Sequence, residues 1–507
     1  MEGGSGRAAG EKLAFRRWPR SGTMPRAGGR TPLPTGRPRF SGVLRTSANP
    51  PHFTMAKPKK PLRVSIGKEL QRFGRRIAAH PSAGDPDPNH RIYDAHELHL
   101  LVNRIYDLPE VKVNPNRRRT INVLVPAFDF KSMSAGFFGV FQVARFLRST
   151  DWNVRLVLFD NFDFSMERFR KKFQDYPGME DLLDEVEVDY IGERKHALQV
   201  SPDDVCVATV WYSAHFAKKI SDTLGGRRFL YLVQDYETNF FPGGSLFALA
   251  DETYSFDYAA LFSTSPLHDS FRKADIGGFA TRGVPGISFD NACSASLAPR
   301  DQFLAMNADK PKRKLVFYSR PIVDRNMFNL AALSLITAYE QGVFDPAEWD
   351  CIGMGLGDAL LELLPGVFST SLPRMTLREY EQTVGQFDVC LTLMASPHPS
   401  LIPMDCAGSG AIVVTNTFRT KTEDYLRGLC GNIIPVAPSV PEIVAGLAEA
   451  VAASTDLEGR HRRATAMAYP RTWEESLTTR HADFVTEHVL APALASAGRT
   501  RRRAMTA

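Results

Sequence analysis

No uninterrupted apolar run of about 18 residues occurs in this 507-residue chain, so a membrane-crossing helix is not expected. The N-terminus is basic, but arginines and prolines interrupt its apolar letters, and it lacks the apolar stretch of a secretory signal. Cysteine is scarce. Cys206, Cys293, Cys351, Cys390, Cys406 and Cys430 fall into no CxxC or Cys/His ligand spacing. Several sit in apolar runs such as "DVCLTLM" and "WDCIGMG", where the thiol serves as a small buried hydrophobe. That excludes a disulfide framework and a structural zinc, and it points to a reduced, cytoplasmic chain. An Asp-x-Asp pair closing a strand is also missing, because Asp85 and Asp87 of "GDPDPN" lie in a proline-broken loop. A metal-dependent transferase of the single-domain type therefore loses support, and neither a metal nor a cofactor is expected.

An excess of basic charge is missing from most of the chain, although the net charge is +6. Residues 1–60 hold 13 Lys/Arg against 2 Asp/Glu, which leaves 49 basic against 54 acidic side chains for the remaining 447 residues. The basicity belongs to an arm, and the body is mildly acidic. A body that bound nucleic acid would carry its own basic footprint, so no nucleic-acid partner is expected. An arm that contacts RNA or an anionic membrane stays open as an alternative.

What is present is an alternation of strands and helices. Residues 1–60 are rich in Gly, Pro, Ser and Arg and are expected to be disordered, and 61–117 read as a partly helical lead-in. From there "RRRTINVLVPAF", "NVRLVLFD", "DVCVATVW", "RRFLYLVQD" and "ALFSTS" read as buried parallel strands with helical or loop segments between them. The rhythm lapses over 286–312, the expected interdomain connection. It resumes with strand "KLVFYSR", a helix over 325–341, strand "WDCIGMG", a further helix, strand "DVCLTLMA", a short helix over 403–409, and strands "AIVVTNT" and "NIIPVA". The expected fold is α/β, with two Rossmann-like domains over 118–285 and 313–440 facing a cleft. C-terminal helices and an arginine-rich tail over 441–507 complete the expectation.

Chemistry-bearing residues collect where strands end. In "KLVFYSRPIVDRNMF", Arg320 falls at a strand's carboxyl end, Asp324 reads as an N-cap, and Arg325 falls in the first turn of the next helix. That edge of an open α/β sheet binds ligands, and a helix N-terminus attracts anions. A cation there opposes the helix dipole unless a bound anion reverses the sign; an Arg325–Asp324 surface pair is the alternative. In "SPHPSLIPMDCAGSGAIVVT", Pro397 and Pro399 keep the backbone out of helix, and Pro403 opens a short helix whose first turn holds Asp405. A carboxylate in that place can accept two sugar hydroxyls, or it can simply answer the helix dipole. His398 and Ser400 lie in the same loop. In the first domain, Gly136 of "SMSAGFFGV" permits close backbone approach by a phosphate or sugar, or serves a tight turn. Asp235 and Glu237 of "YLVQDYETNFFPGGS" close a strand beside aromatics, as a sugar-handling loop or a solvated acidic one. His215 of "VWYSAHFA" starts a helix at the same edge.

Three stretches together, "VQDYETNFFPGGS", "FYSRPIVDRNMFNLAALSL" and "MASPHPSLIPMDCAGSGAIVVTNTF", resemble bacterial rhamnosyltransferases of the WsaF type. These belong to the GT-B nucleotide-sugar transferases of glycosyltransferase family 4. The resemblance runs from about residue 118 to 455. It implies that Arg320 and Arg325 clamp a donor diphosphate and that Asp405 binds the nucleotide ribose. The wider group carries a Glu eight positions before Asp405, where this chain has Pro397, and His398 with Ser400 would take over its contact with the transferred sugar. It further implies a dTDP-rhamnose donor, a glycan or lipid-linked glycan acceptor approached from the Asp235, Glu237 and His215 side, retention of configuration, and peripheral contact with the inner membrane face. Two other classes stay as alternatives. An NAD-type two-domain oxidoreductase would need a Gly-rich dinucleotide turn with an acid about 20 residues on, which neither Rossmann start supplies. A nucleic-acid-binding protein would rest on the basic arm alone.

Overall fold

The structure, a computed structural model, describes residues 96–126, 135–174, 176, 178–355, 357, 359–364, 367–373 and 375–495. The basic arm, most of the lead-in, the Asp85–Asp87 pair and the arginine-rich tail lie outside the described residues. In the first half the strands are β1 (Val111–Val113), β2 (Thr120–Val125), β3 (Asn153–Leu158), β4 (Glu187–Tyr190), β5 (Leu198–Val200), β6 (Val205–Ala208), β7 (Phe229–Val233), β8 (Tyr258–Phe262) and β9 (Gly286–Ser288). Seven of them form a sheet in the order β4-β3-β2-β6-β7-β8-β9, parallel throughout, and β1 pairs with β5 separately. The second half supplies β10 (Arg313–Tyr318), β11 (Trp349–Met354), β12 (Ala359–Leu364), β13 (Val367–Ser371), β14 (Val389–Thr392), β15 (Ile412–Asn416) and β16 (Ile433–Val436). Their order is β12-β13-β11-β10-β14-β15-β16, with one antiparallel pair, β12–β13, at the edge.

Both sheets are covered on two faces, which is why their central strands are apolar runs rather than alternating ones. Every residue of β2, β7, β8, β14 and β15 is buried. Helices α1 (Ala135–Leu147) and α2 (Trp211–Thr223) cover the first sheet on opposite faces, α1 in the cluster of Val123 and Leu156 and α2 in that of Leu124 and Val157. Helix α3 (Phe328–Glu340) packs on the second sheet through Ala331, Leu335 and Ala338. A charge is also buried in the first sheet. Arg155 of β3 bonds Asn122 Oδ1 at 2.8 Å through Nε and pairs with Asp189 at 3.3 Å, so the ion is not stranded.

Three features go beyond the sequence expectations. The stretch after β11 forms the β12–β13 hairpin before a helix at Leu377–Val384. "ALLELL" is written in helix-forming letters, but six residues are too few to nucleate one, and Pro-Gly follows at once. The connection carries structure of its own: β9 belongs to the first sheet and Arg300–Ala308 is helical. The last helices divide between the two domains. Val440–Ala453 stays on the second sheet, whereas Leu477, Val485, Val489 and Leu490 join the first-domain core with Val140 and Phe141. The chain thus crosses between domains twice, and the crossings meet where Cys293 N donates to the Pro470 carbonyl at 3.0 Å.

Candidate active site

The carboxyl ends of the two parallel sheets face one another across a cleft. Past the end of β7, Asp235 is 5% exposed; its Oδ1 accepts from its neighbour's amide, Tyr236 N, at 2.8 Å and from the hydroxyl of Ser396 in the other domain. Its Oδ2 lies 3.5 Å from Arg325 Nε, and the Arg325 guanidinium rests 3.9 Å from the ring centre of Phe240. First-domain groups therefore already hold the Arg325 head. The local fold explains this reach. Asp324–Asn326 makes one 3-10 turn, Met327 takes a left-handed conformation (φ 48°), and α3 begins only at Phe328. Asp324 is not the cap and Arg325 not in the first helical turn. The dipole conflict expected there does not arise, nor does the Arg325–Asp324 pair.

Arg320 stands differently. Its guanidinium meets the Tyr318 hydroxyl at 3.3 Å, and no carboxylate pairs with it among the described residues. The loop after β11 makes room for it. At Gly355 (φ +116°) a Cβ would come within 3.0 Å of Arg320 Cγ and of the Tyr318 ring, so only glycine fits without displacing them.

A chamber of about 320 Å³ is lined by Gly136, Asp235, Glu237, Arg320, Arg325, His398 and Ser400, so seven of the nine residues singled out in the sequence meet around one cavity. A second chamber of about 520 Å³ adjoins it and shares Asn291, Tyr318, Arg320, Ser400 and Leu401. Ser400 sits at this neck with a left-handed backbone (φ 71°), uncommon for a side chain and frequent at ligand sites. His398 Nδ1 accepts from Ser400 N at 2.8 Å, so the neutral ring carries its proton on Nε2. Burial pushes its pKa down to about 4, with Arg325 and Lys421 acting the same way and Asp235 against them. At neutral pH His398 is an uncharged donor.

Glu237 is 7% exposed and accepts from Trp211 N at the start of α2. Burial lifts its pKa to about 8, Asp235 adds to that, and the Trp211 amide and Arg325 oppose it. The cleft therefore holds a protonated Glu237 near Asp235. A raised carboxyl pKa contributes stability that is complete below the unfolded value and is lost as pH climbs to the folded one. Wild type should accordingly lose stability relative to Glu237→Gln between pH about 4.5 and about 8 and stay below it by a fixed margin above that. Denaturant melts of both proteins across pH 5–9 check this; a constant difference would mean that Glu237 is ionised throughout.

Of the two remaining expected site residues, one is placed elsewhere and the other lies only at the larger chamber. His215 lines neither chamber: its Nε2 meets the Leu249 carbonyl at 3.1 Å, its ring packs on Trp211 and Phe256, and burial lowers its pKa. It sits a full turn into α2, past the strand edge. Asp405, in α4 (Ile402–Gly408), borders the larger chamber but is 1% exposed. Its Oδ1 accepts from Ser294 N at 2.7 Å and Ala295 N at 3.3 Å, and its Oδ2 from the Tyr380 hydroxyl at 3.0 Å. Those three bonds tie the carboxylate to the interdomain connection and to the helix that carries Tyr380. Burial raises its pKa to about 7, and the three donors work against that.

Two polar residues of the cleft escaped the sequence reading. Lys421 is completely buried; its Nζ donates to the Met394 carbonyl at 3.0 Å, and burial lowers its pKa to about 7 against the pull of Asp235. In "TFRTKTEDY" it is indistinguishable from a surface lysine. Asn291, at the neck, follows β9 in a stretch whose letters read as loop.

Residues 120–265 match the family described as WsaF, N-terminal domain, and residues 313–448 match WsaF, C-terminal domain, together more than half of the chain. The O-antigen biosynthesis protein RfbC of Myxococcus xanthus is 27% identical over 260 residues, 49% of this chain and 18% of that protein, so the match spans less than a fifth of the relative's length. Among solved structures, HepE of Anabaena in complex with UDP-glucose overlays with a TM-score of 0.46 at 13% identity, covering 76% of this chain and 99% of that one. WaaG, a glycosyltransferase involved in lipopolysaccharide biosynthesis, overlays with a TM-score of 0.45 at 11% identity, covering 72% and 99%.

Proposed function

This chain belongs to the WsaF family, and on that premise we propose that it is a glycosyltransferase, moving a sugar from a nucleoside-diphosphate donor onto a glycan in cell-surface polysaccharide synthesis. The observation that carries the reading is that Arg320 and Arg325 line one chamber together with the first-domain acids Asp235 and Glu237. A sugar–diphosphate bond breaks with its electron pair going to the phosphate oxygen, which leaves positive charge on the sugar carbon. Cations that face the phosphate and an ionised carboxylate near the sugar stabilise both ends of that separation. The acceptor hydroxyl forms the new carbon–oxygen bond, and its proton leaves with the diphosphate. Closure of two domains over the chambers keeps water from taking the acceptor's place. The donor we propose is dTDP-rhamnose, with retention at the transferred carbon, both of which rest on the family. The acceptor is a glycan or lipid-linked glycan. No helix among the described residues is long and apolar enough to cross a membrane, and contact with a membrane surface is part of the proposal.

A thermal-shift screen of nucleotide sugars, followed by donor-dependent release of dTDP or UDP with a glycan acceptor, tests this. Stabilisation by dTDP-rhamnose above the other donors supports it, and no response to any nucleotide sugar overturns it. Because guanidiniums meet the leaving charge, activity should survive EDTA unchanged. An enzyme silenced by chelation and restored by Mg²⁺ or Mn²⁺ would show that a metal shares that task.

A further inference from the structure

The neck between the two chambers has one wall from neither helix nor strand. Asn291 stands there, three residues past β9, in the connection between the domains. It is 8% exposed, and its Oδ1 has no hydrogen-bond partner. Buried amides without partners are costly, and one that persists at a cavity calls for an explanation. The backbone around it is fixed on both sides. Upstream, Phe289 N donates to the Phe262 carbonyl at 2.9 Å, and downstream Cys293 N donates to Pro470 O at 3.0 Å. One residue further on, the Asp405 carboxylate takes the amides of Ser294 and Ala295. The amide group is thus pinned at the neck, with Arg320 among the residues that share it.

We infer that Asn291 is a binding residue for the sugar–diphosphate bridge of the donor, and that Asp405 is a positioning residue that holds the connection so that Asn291 is presented there. The inference rests on the nucleotide-sugar reading. A carboxamide is suited to this place because its NH₂ donates without adding a charge to the neck. Its NH₂ can donate to a phosphoryl oxygen, which only accepts, while its Oδ1 is turned into the protein and takes no part. The chamber sizes, about 520 and 320 Å³, fit a nucleoside on one side of the neck and a sugar on the other.

Titration calorimetry of the full chain with UDP, dTDP, GDP and ADP tests the inference on wild type, Asn291→Ala, Asn291→Asp and Asp405→Asn. Removal of one hydrogen bond to a charged group should weaken the best diphosphate about tenfold in Asn291→Ala. Asn291→Asp should weaken it further, since a carboxylate replaces a donor beside phosphate. The melting temperature of Asn291→Ala should hold or rise, because the orphaned amide oxygen is gone. Asp405→Asn should weaken binding too, and the double variant Asp405→Asn/Asn291→Ala should lose less than the two single losses combined, because both act through one contact. If wild type binds a diphosphate and Asn291→Ala binds it equally, the inference falls and the proposed function stands. If wild type binds none of the four, both fall. Additive losses in the double variant would overturn the positioning role of Asp405 alone.

Discussion

Arg320→Ala and Arg325→Ala should each lower kcat/KM by about 10- to 100-fold with acceptor saturating, the loss of charge-assisted hydrogen bonds worth roughly 1.5–3 kcal/mol. Part of that should fall on kcat, since negative charge on the diphosphate grows as the sugar leaves. The two arginines differ in the free protein, and so should their variants. Arg320 has no carboxylate partner among the described residues, so its removal strands nothing and the fold should be unaffected. Arg325 pairs at 3.5 Å with a carboxylate that is itself buried. The helix-dipole argument alone would have made Arg325→Ala neutral or stabilising, but the 3-10 turn takes Arg325 out of the helix. Asp235 keeps Ser396, the Tyr236 amide and the nearby Lys421, so the expected cost is modest, about 1 kcal/mol. Lysine should restore more activity at 325 than at 320. Position 320 needs a flat head against the Tyr318 ring beside Gly355, and an ammonium on a flexible stem does not supply it. Steady-state kinetics and denaturant melts of the four variants decide this. Unchanged kinetics in both alanine variants would remove the diphosphate clamp.

How much of this was legible beforehand follows the kind of signal each residue carries. The β-strands that fill the two sheet centres are written as apolar runs, because burial on both faces leaves no room for alternation, and β2, β7, β10, β14 and β15 were readable on that ground alone. Three of the four edge strands were not, β16 being the exception: β4 and β9 are short and half-buried, and β12 is written in letters that favour helix. The same division holds in the cleft. Arg320, Arg325, Asp235 and His398 stood out because a charged or titratable residue at a strand's carboxyl end has little structural reason to be there. Asp405 stood out on the same logic, yet the structure gives its oxygens to Ser294, Ala295 and Tyr380, partners far away in the chain that no local spacing reveals. Lys421 was invisible for the converse reason. Its burial is decided by contacts between segments, and nothing in its neighbours' letters distinguishes a lysine that ends under a loop from one in water.

Asp235→Asn should lower kcat strongly while leaving diphosphate affinity equal to wild type or tighter. In the free protein Asp235 occupies the Arg325 head, so an incoming diphosphate must compete with a carboxylate for that cation. Neutralising Asp235 removes the competitor. The same change removes negative charge from the wall facing the transferred sugar, where positive charge develops. A full unit charge about 5–6 Å away at an effective dielectric constant of about 20 is worth roughly 3 kcal/mol. A half-developed charge therefore corresponds to about a tenfold loss in kcat, rising toward about 100-fold as the sugar cation matures. The fold should tolerate the change because Lys421, already drawn down to about 7, needs Asp235 to stay charged and becomes neutral without it. The asparagine can still accept from Ser396 and from the Tyr236 amide. Steady-state kinetics together with calorimetry of the diphosphate product check both halves. An unchanged kcat would take Asp235 out of the chemistry. A fall in diphosphate affinity matching the fall in rate would mean that the carboxylate supports Arg325 for its ligand rather than competing with that ligand.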